Sequence, residues 1–131
     1  VIDMLQQSLR DMVHYSGQGI VAIDLIDRET ALSVSGIRSN PVACATFNKL
    51  LDDLQAASAR SGLMEAVDML VLSEQGAEPG RPGHNVIVVV TLSRRYRLGM
   101  KVDTTRCSLG MLLGVVFVDK LPTVKACLPV K

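Results

Sequence analysis

Apolar residues recur at helical spacing at the start of the chain and alternate with polar ones further in. Over IDMLQQSLRDMVHY (2–15), Ile2, Leu5, Leu9, Met12 and Val13 share one face while Gln6, Gln7, Arg10 and Asp11 lie mostly off it, which predicts an amphipathic helix. Gly17 and Gly19 then admit a turn. Ile20 to Leu25 and Thr30 to Ser35 read as two strands around the polar turn 26–29, and a hairpin is preferred. The first strand is apolar at Ile20, Val21, Ala22 and Ile23 alike, as a central strand covered on both faces is, although a helical segment also reads this way. The second alternates Ala31, Ser33 and Ser35 against Leu32 and Val34, predicting one buried face, and Gly36 ends it.

The stretch NPVACATFNKLLDDLQAASARSG (40–62) marks its own start, face and stop. Asn40 can cap free helical N–H groups, Pro41 suits the first helical position, and Gly62 can take the left-handed conformation that closes a helix over 41–61. Ala43, Phe47, Leu50, Leu51, Leu54 and Ala57 fall in one stripe that asks for a core. Elsewhere on the helix, charges mix with Ala45, Ala56 and Ala59, which either admit a close neighbour or serve simply as strong helix formers.

Three more strands are predicted, at 66–73, 85–92 and 96–102. The segment 74–84, rich in Gly and Pro, reads as a flexible excursion between the first two, and Ser93-Arg94-Arg95 as a tight turn between the others. Tyr96, Leu98, Met100 and Val102 alternate with Arg97, Gly99 and Lys101, so two cations share the opposite face. Residues 108–121 fit a third helix, with Leu109, Leu112, Leu113, Val116 and Lys120 in phase, while the β-branched centre also permits a strand. Pro122 breaks this element or starts another turn, and 123–128 suits a short terminal helix. The order helix, two strands, helix, three strands, helix makes an α+β fold: a five-stranded antiparallel sheet with flanking helices.

At 131 residues the chain is the size of one domain, 1–131. With aromatic residues only 3% of the chain, packing must rest on Leu, Val, Ile and Met. A net charge of +1 gives no general attraction for nucleic acid or anionic membrane. Asp3, Arg10 and Asp11 interrupt any secretory signal, and the longest apolar run, 109–118, is about half of what crosses a bilayer. With three unpatterned cysteines, Cys44, Cys107 and Cys127, a cytoplasmic protein holding reduced thiols is expected.

The chemistry is sparse. There is no phosphate-binding loop, no dinucleotide glycine pattern and no metal-ligand spacing around His14 or His84, so neither cofactor nor metal is expected. Asp24 with Asp27, or Asp52 with Asp53, formally pair acids, but the first pair borders a turn and the second a solvated helix face. Ser73 has no nucleophile-elbow signature, and Cys44 lacks a base partner. Arg94, Arg95, Arg97, Lys101 and Arg106 form the main basic cluster, either a solvated sheet edge or a contact for an acidic partner.

The order of elements, with GQGIVAIDLIDRETALSVSG at 17–36, the helix at 41–61 and NVIVVVTLSRRYRLGMKV at 85–102, resembles the roadblock/LC7 family, which includes MglB-like bacterial proteins. The resemblance implies a noncatalytic homodimeric adaptor or regulator of a small GTPase or of a motor or signalling complex, joined through the long helix and the third strand. It points to Ala45, Lys49, Asp52, Ala56 and Ala59 on the helix and Met69 and Val71 on the strand as the contact surface. The 27–30 turn lacks the Asp-Gly common in that family and the 74–84 loop is rich in proline. These departures keep open a profilin-like small-molecule sensor or a small enzyme, with a pocket beneath 74–84 near Asp24, Tyr96 and Arg97.

Overall fold

The computed structural model describes residues 2–62, 68–75 and 82–128, so the expectations for 63–67 and 76–81 lie outside the described residues. Helix α1 (Ile2–Tyr15) buries Leu5, Leu9, Met12 and Val13, the stripe its spacing predicts. Its end is tied down by Ser16, whose hydroxyl donates to the Val13 carbonyl at 2.6 Å and accepts from the Ile20 N–H at 3.1 Å. Strand β1 (Ile20–Asp27) follows. It is a strand, not a helical segment, and it lies inside the sheet with its second half buried throughout.

The sheet is antiparallel in every pair, in the order β2-β1-β5-β4-β3. Strand β2 (Ser33–Ile37) starts three residues later than predicted and runs through Gly36, which pairs with Asp24. The cause is local. Asp27 stays in β1, and its carboxylate accepts the N–H groups of Glu29 at 2.9 Å and Thr30 at 3.4 Å, moving the turn to 28–30. The predicted buried face of β2 is also reversed: Leu32 and Val34 are exposed, while Ser35 is buried with its hydroxyl on Gln6 of α1.

Helix α2 (Pro41–Ser61) keeps its predicted bounds and caps. The Asn40 side chain accepts the Ala43 N–H at 3.1 Å, and Gly62 at φ 67° donates to Ser58. Strands β3 (Met69–Gln75), β4 (Pro82–Thr91) and β5 (Tyr96–Asp103) complete the sheet. Gln75 pairs with Pro82, so strand structure reaches into both ends of the predicted 74–84 excursion. The C-terminal segment is helical: α3 (Leu109–Met111), a π turn (Leu112–Val116) and α4 (Phe117–Ala126) follow one another with helical backbone at each junction. Pro122 does not break it but lies inside α4.

The two faces of the sheet are covered unequally. Helices α1 and α4 pack on one face over a core that includes Leu9, Met12, Ile23, Leu25, Val88, Leu98, Val102, Leu112 and Val116. On the α2 face Leu51 and Val89 form a small fully buried centre with Phe47, Leu70 and Ile87 partly buried around them, and Ile26 and Cys44 are buried nearer the start of the helix.

Candidate interaction surface

Helix α2 is turned about its axis relative to the apolar stripe read from its sequence. Its buried residues are Cys44, Asn48, Leu51 and Ser58, whereas Leu50 and Leu54 are about two-fifths exposed, at 40% and 37%. A buried cation accounts for the rotation. Arg97 of β5 has no exposed surface, and its Nη1 donates to the Asn48 carbonyl at 2.9 Å and to Asn48 Oδ1 at 2.8 Å. The same Nη1 lies 2.8 Å from Asp52 Oδ1, while Nη2 donates to Gln55 Oε1 at 2.9 Å and Nε to Thr91 Oγ1 at 3.3 Å. Asn48, Asp52 and Gln55 lie on one helical face and must turn towards β5 to satisfy this guanidinium. Arg28 joins from the other side, its carbonyl accepting Asn48 Nδ2 at 3.0 Å.

That rotation carries Leu50, Leu54 and Ala57 to the side of α2 nearest β3. There they line a shallow groove with Leu70 and Leu72, and Asp53 lies at its margin. Leu72 is 38% exposed. This apolar groove beside an edge strand is the best candidate contact surface in the described residues.

The residues chosen from sequence scatter around it. Ala45, Lys49, Ala56 and Ala59 are exposed on α2, with Lys49 donating to Asp53 at 3.3 Å. Asp52 is committed to Arg97. Met69 and Val71 alternate with the groove leucines, and Val71 packs against the core on the α1 face, so they do not share a face with α2. The signal for Leu70 and Leu72 was present as strand alternation, but every residue from Met69 to Leu72 is apolar and alternation cannot choose between the faces.

Other candidates separate as well. The basic cluster is dispersed: Arg97 is buried, Arg95 Nε lies 3.1 Å from Asp27 Oδ2, and Arg106 lies 4.0 Å from Asp103. Asp24 accepts from the Ser33 hydroxyl at 2.7 Å and the Asn40 N–H at 3.3 Å, so both of its oxygens are engaged. For Asp27, burial works to raise the carboxyl pKa, but hydrogen bonds from Glu29, Arg95 and Thr30 more than offset it and hold the pKa below its ordinary value. Burial, with the Asp24 carboxylate alongside, pushes the Cys44 thiol up to about 12, which keeps it protonated and poor as a nucleophile. Cys107 is fully buried against Gly19, where a β-carbon would collide with it. Among the described residues, no three His, Cys, Asp or Glu side chains gather as a metal site, and no helix is long and apolar enough to cross a membrane. A cavity does touch Asp24, but neither Tyr96 nor Arg97 lines it.

No protein-family profile matches the sequence, and no curated protein matches it. Solved structures do. Myxococcus xanthus MglB superposes with a TM-score of 0.72 at 11% identity, covering 95% of this chain and 87% of its own. A roadblock/LC7 domain from Streptomyces avermitilis gives 0.64 at 15% identity, with 92% of each chain covered. A further structure, described as MglB with tetrameric arrangement, gives 0.61 at 14% identity over 93% of this chain and 86% of the other. At such identities the likeness speaks to architecture, and with the helix order and the five-stranded antiparallel sheet it establishes that this chain has the roadblock/LC7 fold.

Proposed function

We propose that the chain is a noncatalytic, homodimeric adaptor or regulator of a small GTPase or of a motor or signalling complex, assembled through α2 and β3. The observation that carries this reading is the leucine groove. Leu50, Leu54 and Leu72 remain substantially in water in one copy, beside a strand at the edge of the sheet. A second copy related by a two-fold axis sets the same groove against itself, as an isologous interface requires. Strand β3 meeting its own copy extends the sheet and removes an open edge. Lys49 and Ala56 lie on the outward face of α2 between the leucines and Ala45 and Ala59, and Met69 lies on the edge strand, so all belong to the surface proposed for assembly.

The tetrameric arrangement named for one MglB structure belongs to that protein and supports assembly as a property this fold can carry. Regulation of a GTPase acts through the partner's own nucleotide site, so this chain needs no nucleotide-binding motif. Sedimentation equilibrium at micromolar protein tests the assembly. The wild type is expected to be a dimer, Leu54→Glu a folded monomer by circular dichroism, and Ala56→Glu an intermediate case. A folded wild type that stays monomeric rules out the dimer. The regulatory half is tested by the GTP hydrolysis rate and binding of small GTPases from the same organism with and without this protein. Absence of both binding and a change in rate rules out that role.

A further inference from the structure

The first half of α2 roofs a second concavity, of about 270 Å³, between the helix and strands β1, β4 and β5. Small residues line it where larger ones would fill it: Ala22 on β1, Ala43 on α2 and Gly99 on β5. A β-carbon at Gly99 would stand 3.2 Å from Ile26 Cδ1 and 3.5 Å from Phe47 Cδ2, so the glycine keeps the floor low. Ile26, Ile87 and Phe47 supply apolar wall. The concavity opens to solvent past the exposed Arg38 and Asn40, so a small molecule can reach its apolar floor.

The polar groups have a definite sense. Arg38 lines the cavity with its backbone at φ 53°, in the left-handed region that side chains rarely adopt. Its Nη1 donates to the Val21 carbonyl at 2.8 Å, and it has no carboxylate partner among the described residues. Lys101 is a second cation in the lining. Asp24, the one acid in the lining among the described residues, is buried and already accepts from Ser33 and Asn40.

We propose that this cavity binds a small organic anion with a short apolar body, in the class of short-chain aliphatic or aromatic carboxylates. The apolar part leaves water against Phe47, Ile26 and Ile87, and the carboxylate meets the Arg38 guanidinium, whose fork donates to two oxygens. Repulsion from Asp24 sets the direction, with the charged end towards Arg38. The space is slightly smaller than a drug-sized site, which calls for a ligand of few atoms. The cavity and the leucine groove share no lining residue, so this site and the dimer are tested separately.

Amide chemical-shift titration of the full chain with hexanoate, hexan-1-ol and hexylamine tests the assignment. Hexanoate is expected to move the amides of Ala43, Phe47, Gly99 and Lys101 and to bind about tenfold more tightly than the alcohol or the amine. Arg38→Gln, an exposed change, is expected to reduce hexanoate to the affinity of hexanol and leave hexanol unchanged. Ala43→Leu fills the cavity from the helix and is expected to remove binding of both. Equal binding of hexanoate and hexanol, insensitivity to Arg38→Gln, or shifts confined to Leu50, Leu54 and Leu72 would overturn the proposal. So would unmoved amides at hexanoate concentrations of about 10 mM, where even weak fragments register.

Discussion

Arg97 brings a full charge into a space without water, and α2 meets it with a main-chain carbonyl and three side chains. Removing the cation leaves the Asn48 carbonyl and Oδ1 short of a donor and leaves Asp52 and Gln55 with the longer contacts from Arg28, at 3.8 and 3.5 Å. Arg97→Met is therefore expected to lose about 2–4 kcal/mol in urea denaturation. Arg97→Lys should recover only part of this, because one ammonium cannot reproduce the guanidinium fork. Asp27 gives the pH dependence. Its folded pKa is depressed, so its stabilisation is complete above the unfolded value of about 3.9 and is lost as pH falls through the lower folded value. The stability difference between wild type and Asp27→Asn, followed by urea denaturation down the acid limb, is expected to shrink in that window. An unchanged difference would mean that the contacts from Arg95, Glu29 and Thr30 do not favour the ionised carboxyl. Sequence alternation put Arg97 on a face opposite Tyr96 and Leu98, but its burial depends on Asn48, Asp52 and Gln55, more than forty residues earlier, and no local pattern reports that.

Among the elements, α2 was legible in its bounds and misread in its rotation, for separable reasons. Caps are short-range: Asn40, Pro41 and Gly62 act within a turn of themselves. Asn40→Ala is expected to cost about 1 kcal/mol, measured by thermal or urea denaturation, by stranding the Ala43 N–H. Rotation is long-range. An apolar stripe centred on Leu50 and Leu54 yields to the polar face that Arg97 requires, so those leucines are displaced from the core into the groove. Strand β2 shifted for a local reason instead, since Asp27 redirects the turn that sets its register through N–H groups two and three residues on. The C-terminal helix was ambiguous because Val115, Val116 and Val118 suit a strand, and it forms because the sheet face beneath it needs cover.

For the whole molecule, fold class and strand count could be read from the order of periodic segments, whereas strand order and the sidedness of β3 could not. Of the residues expected at a contact surface, Ala45, Ala56 and Ala59 face solvent on α2 as the helical pattern placed them, while the groove residues Leu70 and Leu72 emerged only once β4 fixed the register.

The sparse centre beneath α2 has a thermodynamic consequence. The apolar centre beneath α2 is smaller than the one beneath α1 and α4, so among the helices its release from the sheet is the partial opening expected to cost least. A second copy seated on the leucine groove would close that opening by mass action, linking chain concentration to heat resistance. The melting temperature of the wild type is expected to rise by several degrees over a hundredfold increase in concentration, while that of Leu54→Glu stays flat. A wild type whose melting point ignores dilution would show that α2 needs no partner to stay in place.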